Sequence, residues 1–369
     1  MDRRAFLRTG AALGFVGLTG RGRTPAQAGS PAPEQTLWLS WNENPMGLGA
    51  RARQAAREAL DRAHRYPDRA RAGLATRVAE VNGVRPENVV LGCGSTQILQ
   101  AIVLSSVPDS KPLVLAEPTF EAVVRYQRPF AGRIEKVPLD RRYAHDLPRM
   151  KECVDGRPAV VYICNPNNPT ATLTPRAEID SWIREAPEDV LFAIDEAYHE
   201  YVESSEYRSA VQWVDQRPNV VVTRTFSKIY AMAGLRLGYA LCHAKTARRL
   251  RRLVSADNTN GIALAAAEAS LRDPDLIPSS RRLNSTSKQI AVTCLDELGL
   301  EHLPSHANFL MHRVGGNLQD YIERMKERGI RVGRPFPPMM TYNRLSLGLP
   351  NEMERWAQTL RSLRAQGLV

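Results

Sequence analysis

The sequence predicts an α/β protein, with a mostly parallel sheet in a large domain and a smaller α/β domain after it. Three observations carry that prediction. Short, continuous apolar runs recur at 89–91, 113–116, 160–164, 191–194, 220–223 and Gly238–Cys242, as expected of strands buried on both faces. Helix-like stretches separate most successive pairs, the alternation that builds parallel sheets. From about Gly261 the pattern changes to long helical segments among a few short strands, and 369 residues is length enough for two domains.

Along the chain, residues 37–40 lead into Trp41-Asn42-Glu43-Asn44-Pro45-Met46-Gly47, which should run extended because Pro45 disfavours helix at Asn44. A helix is expected over 50–64, ending at Arg65-Tyr66-Pro67-Asp68. Helices over 96–105, 120–126, Arg176–Glu185 and 244–254 alternate with the strands. Beyond them come helices over 262–272 and 277–298, then strands Phe309–Arg313, Ile330–Val332 and 344–348, with helices 318–328 and 352–364 among them. The expected organisation is 1–28 as an export signal, 29–45 as linker and N-terminal arm, 46–260 as the large domain and 261–369 as the small one.

The first 28 residues read as a segment outside the fold. Arg3 and Arg4 precede Phe6-Leu7, a short Gly-rich apolar stretch follows, and Ala26-Gln27-Ala28 has the small-x-small form of a cleavage site. Twin arginines in this setting resemble the twin-arginine export signal, so a periplasmic or exported location is expected, the alternative being a cytoplasmic extension. The formal charge of +11 shrinks to +7 without this segment, because it holds five arginines and one aspartate. The remaining cations are interspersed with acids on helix-like stretches, which argues against a nucleic-acid-binding surface. No stable membrane anchor is expected, since no apolar run is long enough to span a bilayer. The five cysteines are scattered without metal-ligand spacing, so neither a disulfide framework nor a metal site is expected.

In a parallel sheet, ligands bind beyond the carboxyl ends of the strands, so the residues that follow each strand are the candidates for chemistry. After 89–91 comes Gly92-Cys93-Gly94-Ser95-Thr96, a turn that opens a helix and offers backbone N–H groups and hydroxyls to a phosphate, or simply caps the helix. Phe120 follows the next strand, and Asn168 sits in the Asn-Pro-rich turn after 160–164. Asp195 continues an apolar strand and therefore needs a cationic partner, either an internal arginine or a protonated pyridine nitrogen. Tyr198 lies three residues on. After 220–223 come Ser227, Lys228 and, eight residues later, Arg236. A lysine able to form a Schiff base, beside a hydroxyl and an arginine suited to a phosphate, is the requirement of a pyridoxal phosphate site. Arg344, near the start of a late strand, suits a substrate carboxylate.

Taken in order, Asn-Glu-Asn-Pro, Arg-Tyr-Pro-Asp, Gly-x-Gly-Ser, Pro-Thr-Phe, Asn-Pro-Asn-Asn-Pro-Thr, Asp-Glu-Ala-Tyr, Ser-Lys-x5-Gly-Leu-Arg-x-Gly-Tyr, Ala-Asn-Phe and Arg-Leu-Ser-Leu-Gly run from Asn42 to the late strands. This ordered set resembles the fold-type I pyridoxal-phosphate-dependent aminotransferases, and among them the histidinol-phosphate aminotransferases. The resemblance implies a mostly parallel seven-stranded sheet and transamination between an amino acid, or a histidinol-phosphate-like amine, and a 2-oxo acid. A lyase, cyclase or oxidase on the same scaffold is the alternative. It further implies that Lys228 binds the cofactor and shuttles a proton, Asp195 pairs with the pyridinium, and Asn168 and Tyr198 bind the ring's phenolic oxygen. Phe120 would stack on the ring, while Ser95, Thr96, Ser227 and Arg236 hold the phosphate. Tyr66 would reach the site of a partner subunit in a homodimer. Arg344, Asn44 and Asn308 would serve the substrate.

The sequence departs from the family pattern at Met46 for tyrosine, at Thr96-Gln97, at Ala171 for glycine, and around Arg334, which sits slightly displaced from the family's usual place. These changes lie mainly on the substrate side.

Overall fold

The computed structural model describes residues 36–106, 111–255 and 257–369; the expected signal and residues 29–35 of the expected linker and arm lie outside them. The described chain begins with β1 (Leu37–Leu39), followed by helices α1 (Ala50–Leu60) and α2 (Asp68–Asn82). The first helix stops four residues before the expected end, where 61–64 turn into the exposed segment around Tyr66. The second helix was not anticipated from the sequence. Its Arg- and Ala-rich surface carries only Leu74, Val78 and Ala79 inward, and it ends at Gly83, whose φ of 65° supplies a left-handed cap.

The large sheet comprises β2 (Val89–Gly92), β3 (Leu113–Glu117), β4 (Ile134–Pro138), β5 (Ala159–Cys164), β6 (Val190–Asp195), β7 (Val220–Thr225) and β8 (Gly238–Cys242). Their order is β2-β8-β7-β6-β5-β3-β4, with β8 antiparallel to both neighbours and the others parallel. Six of the seven are the apolar runs read from the sequence. The seventh, β4, escaped because it is an edge strand: only Val137 is buried, Ile134 and Glu135 are half-buried, and Lys136 and Pro138 are exposed.

Helices cover both faces. One core packs α1, α2, α5 (Leu147–Val154), α6 (Arg176–Glu185) and α8 (Gly261–Leu271) on the sheet. The other packs α3 (Ser95–Ser106), α4 (Ala122–Gln127) and α7 (Ala244–Arg251). Because Ala263, Leu264, Ala266 and Ala267 of α8 belong to the first core, the change of sequence character at Gly261 does not coincide with a change of core.

A third core unites α9 (Leu276–Glu297), β9 (Phe309–Arg313), α10 (Leu318–Glu327), β10 (Ile330–Val332), β11 (Tyr342–Ser346) and α11 (Pro350–Ala365). Leu39 joins it, since β1 pairs parallel with β10 and so carries the N-terminal arm into this smaller body. β11 pairs antiparallel with β9, which brings Arg344 opposite Met311. No helix among the described residues is long and apolar enough to cross a membrane.

Candidate active site

A cleft of about 470 Å³ opens at the carboxyl ends of the parallel strands, where the arm and β11 meet the large sheet. Of the residues singled out from the sequence, Ser95, Thr96, Phe120, Asn168, Asp195, Tyr198, Ser227, Lys228, Arg236 and Arg344 line it.

One end of the cleft is built for an anion. The Gly94 turn has φ of 74°, and a Cβ there would stand 2.5 Å from Arg236 Nη2. Glycine is therefore needed both for the turn and for the approach of the guanidinium. The turn opens α3, placing Ser95 and Thr96 at a helix N-terminus. Arg236 Nη1 donates to Ser227 Oγ (3.3 Å) and Ala233 O (2.8 Å), and among the described residues no carboxylate pairs with it. Ser227 is fixed in turn by its N–H donating to Thr225 Oγ1 (3.0 Å). β8 closes behind this turn: a Cβ on Gly238 would stand 2.3 Å from the Ser95 nitrogen.

At the floor lies Asp195, 2% exposed. Tyr162 Oη donates to its Oδ2 (2.8 Å) and Thr223 Oγ1 to its Oδ1 (3.0 Å). Both partners are neutral, and burial pushes the carboxyl up to about 6. The internal arginine weighed as its partner in the sequence is engaged elsewhere. Arg224 Nε and Nη2 clasp Glu196 Oε2 at 3.0 and 2.9 Å on the opposite face of the strands. The alternation of side chains along β6 and β7 thus separates a structural ion pair from a carboxylate left without a cation.

Lys228 follows β7 directly. Its Nζ donates to the arm carbonyls of Trp41 (3.3 Å) and Asn42 (3.0 Å) and lies 5.7 Å from the Tyr198 ring centroid. Desolvation, helped by the Arg344 charge, lowers this lysine to about 8. Arg344 is buried with no carboxylate partner among the described residues. Its Nη1 donates to Asn168 Oδ1 (2.7 Å) and its Nη2 to Ser40 O (2.6 Å), while Nε has no partner. Phe336 carries the guanidiniums of both Arg344 and Arg334, at 4.7 and 4.2 Å from its ring centroid.

Two residues expected to serve the substrate, Asn44 and Asn308, stand outside the lining, and Tyr66, expected at a partner's site, lies outside this cleft. Asn44 is not part of the cleft lining: its Nδ2 donates to Ile229 O and Ser280 Oγ, and its Oδ1 accepts from the Met46 N–H, so it anchors the arm. Asn308 also stands behind the lining, donating to the carbonyls of Asn42 and Glu43. Tyr66 is 81% exposed and borders a separate hollow with Arg62, Pro67 and Asn260.

Other residues reach the cleft without having been foreseen. Asn42 does so through a left-handed backbone (φ 55°), and Trp41, Glu43, Thr225 and Phe336 also line it. The only available signal for Asn42 was its place in Asn-Glu-Asn-Pro, which does not say which asparagine turns inward. Ala171, standing where glycine was expected, adopts φ of 62°.

A profile of the family described as aminotransferase class I and II matches residues 34–360. The chain belongs to the class I and II aminotransferases. It is a pyridoxal-phosphate-dependent aminotransferase of the fold-type I architecture. Similar proteins include histidinol-phosphate aminotransferase 1 of Idiomarina loihiensis, 33% identical over 92% of this chain and 95% of the relative. Histidinol-phosphate aminotransferase 2 of Pseudomonas fluorescens (strain Pf0-1) is 36% identical over 91% of this chain and 90% of its own length. Among solved structures, the histidinol-phosphate aminotransferase of Sinorhizobium meliloti in complex with pyridoxal-5'-phosphate superposes with a TM-score of 0.83. It shares 27% identity over 89% of this aminotransferase and 92% of that chain.

The residues present fit such a cofactor. The cleft offers a guanidinium without a carboxylate at the helix end and a carboxylate without a cation at the floor. The first matches a phosphate and the second a protonated ring nitrogen.

Proposed function

We propose that this aminotransferase holds the cofactor phosphate with Ser95, Thr96, Ser227 and Arg236, and its ring nitrogen against Asp195. Asn168 and Tyr198 serve the ring oxygen, and Phe120 covers the ring. The observation that carries this reading is that one cleft unites the uncompensated Asp195, the uncompensated Arg236 and an amine, Lys228, lowered to about 8. Bound there, pyridoxal phosphate supplies the electron sink that stabilises negative charge at a substrate Cα. The chain supplies the rest. Lys228 Nζ, neutral above about pH 8, takes up and returns the Cα proton. Arg344, already without a carboxylate of its own, clamps the substrate's.

The substrates in this reading are an amino acid, or a histidinol-phosphate-like amine as the relatives' names suggest, and a 2-oxo acid. The exposure of Tyr66 outside its own cleft supports a homodimer in which it reaches the partner's site. The twin arginines of the N-terminal segment support export, which replacing Arg3 and Arg4 by lysine should block in a fractionation assay.

The deciding experiment incubates purified protein with a panel of amines and follows the absorbance of the bound cofactor. A spectral change reversed by a 2-oxo acid, without ammonia or peroxide, supports transamination. Stoichiometric ammonia or peroxide would establish a lyase or oxidase instead.

A further inference from the structure

Asn42 is 1% exposed and is hydrogen-bonded to four side chains, Tyr198, Lys228, Asn308 and Ser346, each from a different segment of the chain. Its Nδ2 donates to Tyr198 Oη at 3.0 Å, and its Oδ1 accepts from Ser346 Oγ at 2.9 Å. Its own N–H donates to the same Ser346 Oγ at 2.8 Å, and its carbonyl accepts from Lys228 Nζ and Asn308 Nδ2, both at 3.0 Å. Ser346 stands on β11, two residues beyond Arg344.

This arrangement has a direction. Ser346 Oγ already accepts from the Asn42 N–H, so its single proton goes to Asn42 Oδ1. That contact turns the amide so that its NH2 faces Tyr198. An amide N–H cannot take the phenolic proton, and neither can the Arg344 guanidinium; Lys228 Nζ gives its bonds to the carbonyls of Trp41 and Asn42 and lies 5.7 Å from the Tyr198 ring centroid. The two oxygens of Asp195 are occupied by Tyr162 and Thr223. The direction left for the O–H is the cleft that Tyr198 lines.

We infer that Asn42 is a positioning residue: held by Ser346, it makes Tyr198 an obligate proton donor into the cleft. The inference rests on the reading above that the cofactor's ring oxygen lies beside Tyr198. A donor to that oxygen stabilises the form in which it carries the full negative charge, so losing the donor raises the pH midpoint of the bound cofactor's absorbance change.

The test is a double-variant comparison in the cofactor-loaded protein. Tyr198→Phe should raise the midpoint by roughly one unit, the scale of a hydrogen bond to a charged group. Asn42→Asp keeps the shape and tolerates the left-handed backbone, but its carboxylate accepts the tyrosine proton and turns it away from the cleft. It should raise the midpoint by about as much as Tyr198→Phe, and the Asn42→Asp/Tyr198→Phe double variant should show no further rise.

If Asn42→Asp leaves the midpoint unchanged, or if the two shifts add in full as a mere charge effect would, the inference is overturned. An unshifted midpoint in Tyr198→Phe itself would instead overturn the placement of the ring oxygen. Should Asn42→Asp fail to fold, Ser346→Ala, which frees the amide to turn, takes its place. It should give a smaller rise that vanishes in the Tyr198→Phe background, and the absence of that rise would refute the inference.

Discussion

Arg344 Nη1 donates to Asn168 Oδ1 across 2.7 Å, tying β11 of the smaller body to the turn after β5 of the large sheet. The same guanidinium lines the cleft and holds the amide of Asn168 there, and in the proposed function it also meets the substrate's carboxylate. Arg344→Lys keeps the charge but loses the planar fork. It should lower kcat/KM by roughly 10- to 100-fold, mostly through KM for the amino acid, which steady-state kinetics at saturating cofactor would read.

If Lys228 binds the cofactor as proposed, its free-base fraction should govern cofactor uptake. Because its pKa is lowered to about 8, the reactive neutral amine accumulates as pH rises to that value. The rate at which cofactor-free protein takes up pyridoxal phosphate covalently should therefore climb from pH 6 and level off above about 8. Lys228→Ala should abolish the attachment, as judged by mass spectrometry after borohydride reduction, and an unchanged mass adduct would refute the assignment.

Asp195 predicts an opposing stability trend in the cofactor-free protein. Burial raises its carboxyl from 3.8 to about 6, so between those values the folded chain holds a proton that the unfolded chain has lost. Stability contributed at this site is present below pH 3.8 and lost as pH rises through 6. Asp195→Asn should flatten that part of the pH dependence of denaturant unfolding, while weakening pyridoxal phosphate binding at pH 8 by about tenfold or more through loss of the ion pair.

Gly238 packs β8 against the Gly94-Ser95 turn. A methyl group there would meet the backbone nitrogen of Ser95 at 2.3 Å and the carbonyl oxygen of Arg224 at 2.9 Å, neither of which can swing aside. Gly238→Ala should cost about 1–3 kcal/mol of stability and weaken cofactor affinity, whereas wild-type affinity would show that the turn does not hold the phosphate.

The buried Glu196–Arg224 pair should behave as a unit. Ser209 Oγ and the Ala210 N–H also donate to Glu196, and Arg224 Nη1 donates to Asn82. Glu196→Gln alone leaves a buried guanidinium uncompensated and should cost about 3–5 kcal/mol in chemical denaturation. Adding Arg224→Met should recover part of that loss, and full additivity of the two changes would contradict the pairing.

The contrast between Asp195 and Glu196 shows what could be read before any fold was known. A carboxylate continuing an apolar strand announces burial, and its place at a strand end announces the cleft. Two neighbouring carboxylates cannot both be assigned this way. The register of β6 against β7 decides that Glu196 meets Arg224 while the side chains donating to Asp195 are the neutral Thr223 and Tyr162. The edge strand β4 stayed hidden for the complementary reason, since a strand with one buried residue lacks an apolar run.

By itself the sequence determined the parallel sheet, its strand ends and the order of Ser95, Asn168, Asp195, Tyr198, Lys228 and Arg236 along them. Those are local properties: a buried strand must be apolar, and the residue after it must lie at the sheet's mouth. Only the tertiary structure decided that Asn42, and not Asn44 or Asn308, reaches Tyr198 and Lys228. That choice depends on a left-handed turn in the arm and on hydrogen bonds spanning 156 to 304 positions. Contacts across such separations leave no periodic trace in the chain, because they arise from packing rather than from neighbouring residues.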